Sequence, residues 1–183
     1  MNDELNGSAL QQRLAPLEHS HVPTDIAARI AKPNSHSYLK DGIYGAIDGA
    51  VTTFAVVSGV AGAGLSPSIV IVLGVANLVG DGFSMAAGNF LGTRAENQEV
   101  EKLRAVEHNH IRECPEGERE EVRQILVQQG YTGELLDQAV EHITSDEDAW
   151  VETMLRHEYG LSIDRPGALP AATVTLVSFI VIG

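Results

Sequence analysis

Residues 42–92 read GIYGAIDGAVTTFAVVSGVAGAGLSPSIVIVLGVANLVGDGFSMAAGNFLG and hold only two formal charges, Asp48 and Asp81. The stretch breaks at Leu65-Ser66-Pro67, a tight turn with proline placed to open a helix. The runs on either side, Gly42 to Leu65 and Ser68 to Gly92, are 24 and 25 residues long. About 20 apolar helical residues cross a hydrocarbon core of roughly 30 Å, so 42–65 and 68–92 predict two transmembrane helices joined as a hairpin. A further uncharged run, ALPAATVTLVSFIVIG at 168–183, has 16 residues. It predicts the start of a third transmembrane helix, with the chain expected to stop inside it.

Outside these runs the composition inverts. Of a formal net charge of −13 in 183 residues, the segment 93–165 supplies 18 acids against 8 bases, or −10. Such a balance argues against nucleic acid as a partner, because phosphate recognition needs a basic face, and it points to cations. A single cysteine, Cys114, excludes an intrachain disulfide framework and any zinc site built on two thiolates from this chain. The fold class expected is all-α: polytopic membrane helices with an inserted helical domain at 93–165, preceded by an N-terminal tail at 1–41.

Arg29, Lys32 and Lys40 precede the first span, Arg94, Lys102 and Arg104 follow the second, and Arg156 and Arg165 precede the third run. Cations flank the cytoplasmic ends of membrane helices, so the tail and the acidic insert are expected in the cytoplasm and the loop near Ser66 outside. The first 41 residues lack a basic region followed by an apolar one, and the first span is expected to act as an uncleaved anchor.

Both spans carry small residues at helical spacing, Gly45 and Gly49 in the first and Ala76, Gly80, Ser84, Gly88 and Gly92 in the second. Small residues let helix backbones approach closely in lipid, which implies a bundle or an oligomer. An intramembrane carboxylate costs at least about 2.5 kcal/mol and commonly faces a cavity or ion path. Asp48 sits mid-span with Asp41 two turns earlier, and Asn77, Asp81, Met85 and Asn89 recur every fourth residue on the second helix. Oxygen and thioether groups on facing helices could coordinate a partly dehydrated divalent ion, the sulfur favouring transition metals.

Within 93–165, helix signals place the second span's continuation through about Glu113, ended by Pro115. They place further helices at about 116–129, closed by Gly130, from Thr132 to Ile143, and from a capping-box-like Ser145/Asp148 start to near Gly160. At 100° per residue, Glu96, Glu99, Glu107 and His110 share a sector of about 80° that is bordered by Val100, Leu103, Val106, Ile111 and Cys114. This puts ligand-type side chains on the packing face, where unpaired carboxylates are costly unless a cation neutralises them. Met154 and Glu158, one turn apart on the last insert helix, would add a soft and a hard ligand for Fe(II) or another transition metal. Cys114 is expected to be a small buried hydrophobe. His19, His21 and His36 could capture metal, but in a polar tail they read as solvated.

IYGAIDGAVTTFAVVSG, ANLVGDGFSMAAGNFLGTRAE and DAWVETMLRHEYGL together resemble the vacuolar iron transporter family, with its bacterial members, over roughly 36–183. The resemblance implies a homodimer with five membrane helices per subunit in a multi-pass, in bacteria inner-membrane, setting. It implies export of Fe2+, and often Mn2+ or other divalent ions, from the cytosol by proton exchange, with metal as substrate and no permanently bound cofactor. It assigns Asp48 as the translocation aspartate and Met85 as a pathway methionine. Glu96, Glu99, Glu107, Met154 and Glu158 match ligands of a cytoplasmic metal-binding domain. His110 stands where a plant-type member has Glu, Leu155 replaces a second Met, and Asn77 replaces a pathway Glu. The rival from another class is a membrane-anchored ferritin-like di-iron oxidase or storage protein, suggested by Glu107-x-x-His110. That fold requires two such motifs, and only one is found.

Overall fold

A computed structural model describes residues 19–31, 36–162 and 164–183, which divide into two compact units, 1–35 and 36–183. Among the described residues the first unit holds one short helix, α1 (Pro23–Ile30), in which Arg29 Nη1 donates to the Ser20 carbonyl at 3.4 Å. Most of the expected N-terminal tail, residues 1–18 and 32–35, lies outside the described residues.

Among the described residues the second unit is entirely helical: α2 (Leu39–Gly62), α3 (Pro67–Glu113), α4 (Pro115–Gln128), α5 (Gly133–Thr144), α6 (Glu147–His157) and α7 (Ala168–Ile182). Both α2 and α3 are long and apolar enough to cross a membrane, and only 17% and 11% of their apolar windows are buried within the protein. A soluble core helix would be mostly covered. These helices instead turn Ile47, Val51, Phe54, Ile71, Val75 and Phe83 outward, as contact with lipid requires. At 1.5 Å per residue, the 47 residues of α3 span about 70 Å, more than twice the hydrocarbon thickness. One rigid helix therefore belongs to both an apolar and an acidic bundle.

The apolar bundle is α2, α3 and α7. A Cβ at Gly45 would land on the carbonyl oxygen of Thr175, and one at Gly49 on that of Phe179, so this glycine pair is what lets α7 lie against α2. On α3 Gly82 and Ala86 are both buried, and a Cβ at Gly82 would meet Phe179 and Leu176 of α7. The expected small-residue stripe does not serve this packing: Ala76, Gly80, Ser84, Gly88 and Gly92 are exposed.

The acidic bundle packs α4, α5 and α6 on the C-terminal half of α3 around Val100, Ile111, Val122, Leu126, Val140, Trp150, Val151, Met154 and Leu155. Cys114 adopts φ −141°, ψ 59°, and Pro115, which suits the first position of a helix, starts α4 at once. Gly130 closes α4 with φ +94°, a backbone that favours glycine. The start of α6 is capped by Asp146, whose carboxylate accepts from the Asp148 and Ala149 amides at 3.0 and 3.2 Å, and not by Ser145. The returning chain is tied to α3 where Arg165 Nη1 donates to the Asn97 carbonyl at 2.8 Å and Asn97 Nδ2 donates to the Pro166 carbonyl at 3.0 Å.

Candidate metal centre

Glu107 lies on α3 one turn before His110, and the turn at Cys114–Pro115 folds α4 back so that Glu118, in its first turns, meets them. One ligand atom from each of the three falls within 4.8 Å of the others. Glu107 is 1% and Glu118 6% exposed, whereas His110 reaches half into solvent. His110 Nδ1 stands 3.5 Å from Glu118 Oε1 and 3.8 Å from Glu107 Oε1. Tyr159, just past α6, donates its hydroxyl to Glu107 Oε1 at 2.8 Å. The remaining oxygens, Glu107 Oε2 and Glu118 Oε2, are buried with no hydrogen-bond partner among the described residues.

The electrostatics are those of crowded acids. Burial, then the charges of Glu121 and Glu107, push the Glu118 carboxyl up to about 7, against a partial offset from His110. Burial and the same two neighbours raise Glu158. Burial and its bond to Glu107 raise Tyr159. Among the described residues no Lys or Arg pairs with Glu107, Glu118 or Glu158; the arginines of α4 serve Glu141 and Asp137 instead, each at 2.6–2.7 Å. Buried carboxylate oxygens without partners are costly. A divalent cation bound by two carboxylates and an imidazole would satisfy both and remove the mutual repulsion.

A second polar feature lies in the apolar bundle. A cavity of about 620 Å³ is lined by Lys40, Asp41, Tyr44, Ile47, Asp48, Met85, Asn89 and Thr175. Two carboxylates, a thioether and an amide thus face one space between α2, α3 and α7. The Asp48 carboxylate makes no hydrogen bond or ion pair among the described residues, while its backbone carbonyl accepts from Thr52 Oγ1 at 2.7 Å.

A model of the VIT family matches residues 39–183. The chain belongs to the VIT family. It is similar to the vacuolar iron transporter of Toxoplasma gondii, 32% identical over 152 residues that make up 81% of this chain and 50% of that protein. It is 31% identical over 146 residues to vacuolar iron transporter 1 of Arabidopsis thaliana, covering 79% and 58% of the two chains. Similarity to the vacuolar iron transporter of Plasmodium falciparum runs to 30% over 149 residues, 79% and 55%. The chain therefore spans about half to three-fifths of the length of these curated relatives.

In this VIT-family chain the expected ligands separate. Glu107 and His110 meet in the cluster, and Glu158 is exposed outside it, its carboxyl raised in part by the charge of Glu107. Met154 is fully buried in the apolar core of the acidic bundle. Glu96 and Glu99 are exposed, contrary to the expected buried sector. The covered arc is displaced from that sector: Thr93, Val100, Glu107 and Ile111, the buried residues of this stretch, fall at about 20–60° when Glu96 is set at zero. Glu96 and Glu99 lie at its margin or beyond. Cys114 is likewise exposed, because the helix ends before it.

Of the intramembrane candidates, Asp41, Asp48 and Met85 share the cavity. Asn77 and Asp81 do not line it, and Asn77 Nδ2 donates to Asp81 Oδ2 at 2.9 Å along the same helix. Steps of four residues drift by about 40° each on a helix of 3.6 residues per turn, so a stripe begun at Asn89 has turned about 120° by Asn77. Sequence reasoning missed Glu118, Tyr159 and Thr175. A signal for Glu118 was present: it lies four residues before Val122 and eight before Leu126, on the buried face of α4.

Proposed function

We propose that this chain takes part in moving a divalent transition metal, Fe2+ or Mn2+, out of the cytosol by proton exchange, as a transporter and not an enzyme. The acidic bundle captures the metal on the cytoplasmic side, and α2, α3 and α7 belong to a multi-pass, homodimeric membrane domain. The observation that carries this reading is the group of Glu107, Glu118 and His110, with two buried carboxylate oxygens that no donor among the described residues satisfies. The charges of Glu121 and Glu158 add to the negative potential at Glu118. Metal bound there requires the deprotonated form of Glu118, so capture releases a proton. The metal then passes to the cavity holding Asp41, Asp48 and Met85, whose mixed oxygen and sulfur donors suit Fe2+ over Mg2+ or Ca2+. The names of the relatives support iron as the cargo.

The test is Fe2+ entry into acid-loaded proteoliposomes carrying the chain with the acidic bundle outward. Fe2+ should enter while protons leave, Asp48→Ala should abolish the flux, and Glu107→Gln should raise the Fe2+ concentration needed. Undiminished flux in Asp48→Ala, or no metal binding that depends on Glu107, contradicts the reading.

A further inference from the structure

Two cavities of the second unit meet at one set of side chains. Beside the cavity that holds Asp48 and Met85, another of about 610 Å³ is lined by His36, Thr93, Glu96 and Asp164 among others, and Lys40, Asp41 and Asn89 line both. At the junction Asn89 Nδ2 donates to Asp41 Oδ1 at 2.8 Å and to Thr175 Oγ1 at 2.7 Å. Both amide hydrogens are therefore engaged, and one side chain of α3 ties α2 to α7. On the other side of the amide, Asn89 Oδ1 accepts from Thr93 Oγ1 at 3.3 Å.

In this orientation the junction presents hydrogens where a passing cation would need oxygens. Half a turn of the amide about its Cβ–Cγ bond reverses that. Oδ1 then faces Asp41 Oδ1 and Thr175 Oγ1, and Nδ2 faces Thr93, whose hydroxyl accepts as readily as it donates. The Thr175 hydroxyl donates to a backbone carbonyl, that of Ala171 at 3.0 Å or that of Asp41 at 3.5 Å, leaving its lone pairs for the junction. A carboxylate, an amide and a hydroxyl oxygen would converge from three helices, a hard set suited to a divalent cation that keeps part of its water. Without a cation the same flip would set amide oxygen against carboxylate, which repel. The junction would thus favour the closed form when empty and the open form when a cation is present.

We propose that Asp41, Asn89 and Thr175 form a cation-operated gate between the two cavities, shut by the Asn89 amide hydrogens and opened as its carbonyl oxygen turns to a divalent cation. This rests on reading the apolar bundle as the metal route. The gate contains no sulfur, so it passes cations by charge, and the choice between hard and soft metals is left to Met85 on the far side.

The experiment counts Mn2+ bound to the whole chain in detergent by the loss of its free-ion EPR signal. A double variant, Asp48→Asn with Glu107→Gln, removes the cavity carboxylate that lies away from the junction and disables the acidic cluster. That background should retain one Mn2+ site. Thr175→Val should weaken the site about tenfold, the scale on which metal sites lose affinity when a supporting polar group is removed, and Thr175→Ser should restore it. Asn89→Asp, which exchanges the blocking amide for a second carboxylate, should tighten it about tenfold, a gain that misfolding cannot produce. No residual Mn2+ site in the background, or one that neither Thr175→Val nor Asn89→Asp shifts, overturns the gate. The capture reading fails separately: if Glu107→Gln alone removes no Mn2+ from the wild-type count while the Asn89 and Thr175 variants act as expected, the gate stands and the cluster does not bind.

Discussion

Replacing Glu118 by Gln should stabilise the metal-free protein and abolish its response to metal. The folded state holds the Glu118 proton up to about pH 7, whereas a carboxyl in the unfolded chain loses it near 4.5. Between those values the native state binds more protons than the unfolded state, so stability falls as pH rises. The cost is absent below about pH 4 and complete above about pH 7. At about 1.4 kcal/mol per pH unit, it amounts to about 3 kcal/mol at pH 7.5. Urea unfolding in detergent can be followed by the fluorescence of Trp150, the sole tryptophan and 4% exposed in the acidic bundle's core. Wild type should lose stability from pH 5 to pH 7.5, and Glu118→Gln should flatten that slope. Mn2+ at a hundredfold excess over its dissociation constant should return about 2.7 kcal/mol to wild type at pH 7.5 and almost nothing to the variant. A variant with the wild-type slope would refute the burial argument, and a wild type indifferent to Mn2+ would refute the metal site.

Three further expectations follow from the same geometry. Tyr159→Phe removes the donor to Glu107 Oε1 and should weaken Mn2+ binding about tenfold or more, measured by calorimetry on the whole chain. Gly45→Ala drives a methyl into the Thr175 carbonyl, whereas Gly80→Ala meets nothing within 4 Å; the first should cost about 1–3 kcal/mol or more and lower the melting temperature in detergent, and the second should leave it unchanged. Asp146→Ala should destabilise the acidic bundle by about 1 kcal/mol through loss of the α6 cap, and Ser145→Ala by less than about half that, both read from Trp150 fluorescence during urea unfolding.

The helices were legible in the sequence because their signals are local. Pro67, Pro115 and Gly130 punctuate the chain within a residue or two of the observed ends, and the charge-poor runs, with one aspartate each, mark α2 and the first half of α3. The site was legible in part. Glu107 and His110 could be paired because three residues on one helix settle their proximity. Glu118 joins them only through the fold-back at Cys114–Pro115, and Tyr159 only because α6 returns to α3. Glu96 and Glu99 were misplaced for the complementary reason: a helical wheel gives relative angles, but which arc is covered depends on where α4–α6 dock.

By itself, then, the sequence determined an all-helical chain, apolar at 42–92 and acidic at 93–165, with carboxylates where they are expensive. Hydrophobic length and helix punctuation act over one or two turns and need no partner. Only the tertiary structure decided which carboxylates share a site, and that Asn89 links Asp41 to Thr175 across 86 residues of chain between Asn89 and Thr175. Such contacts are set by how whole helices pack, and packing is settled by shape and burial summed over every element at once.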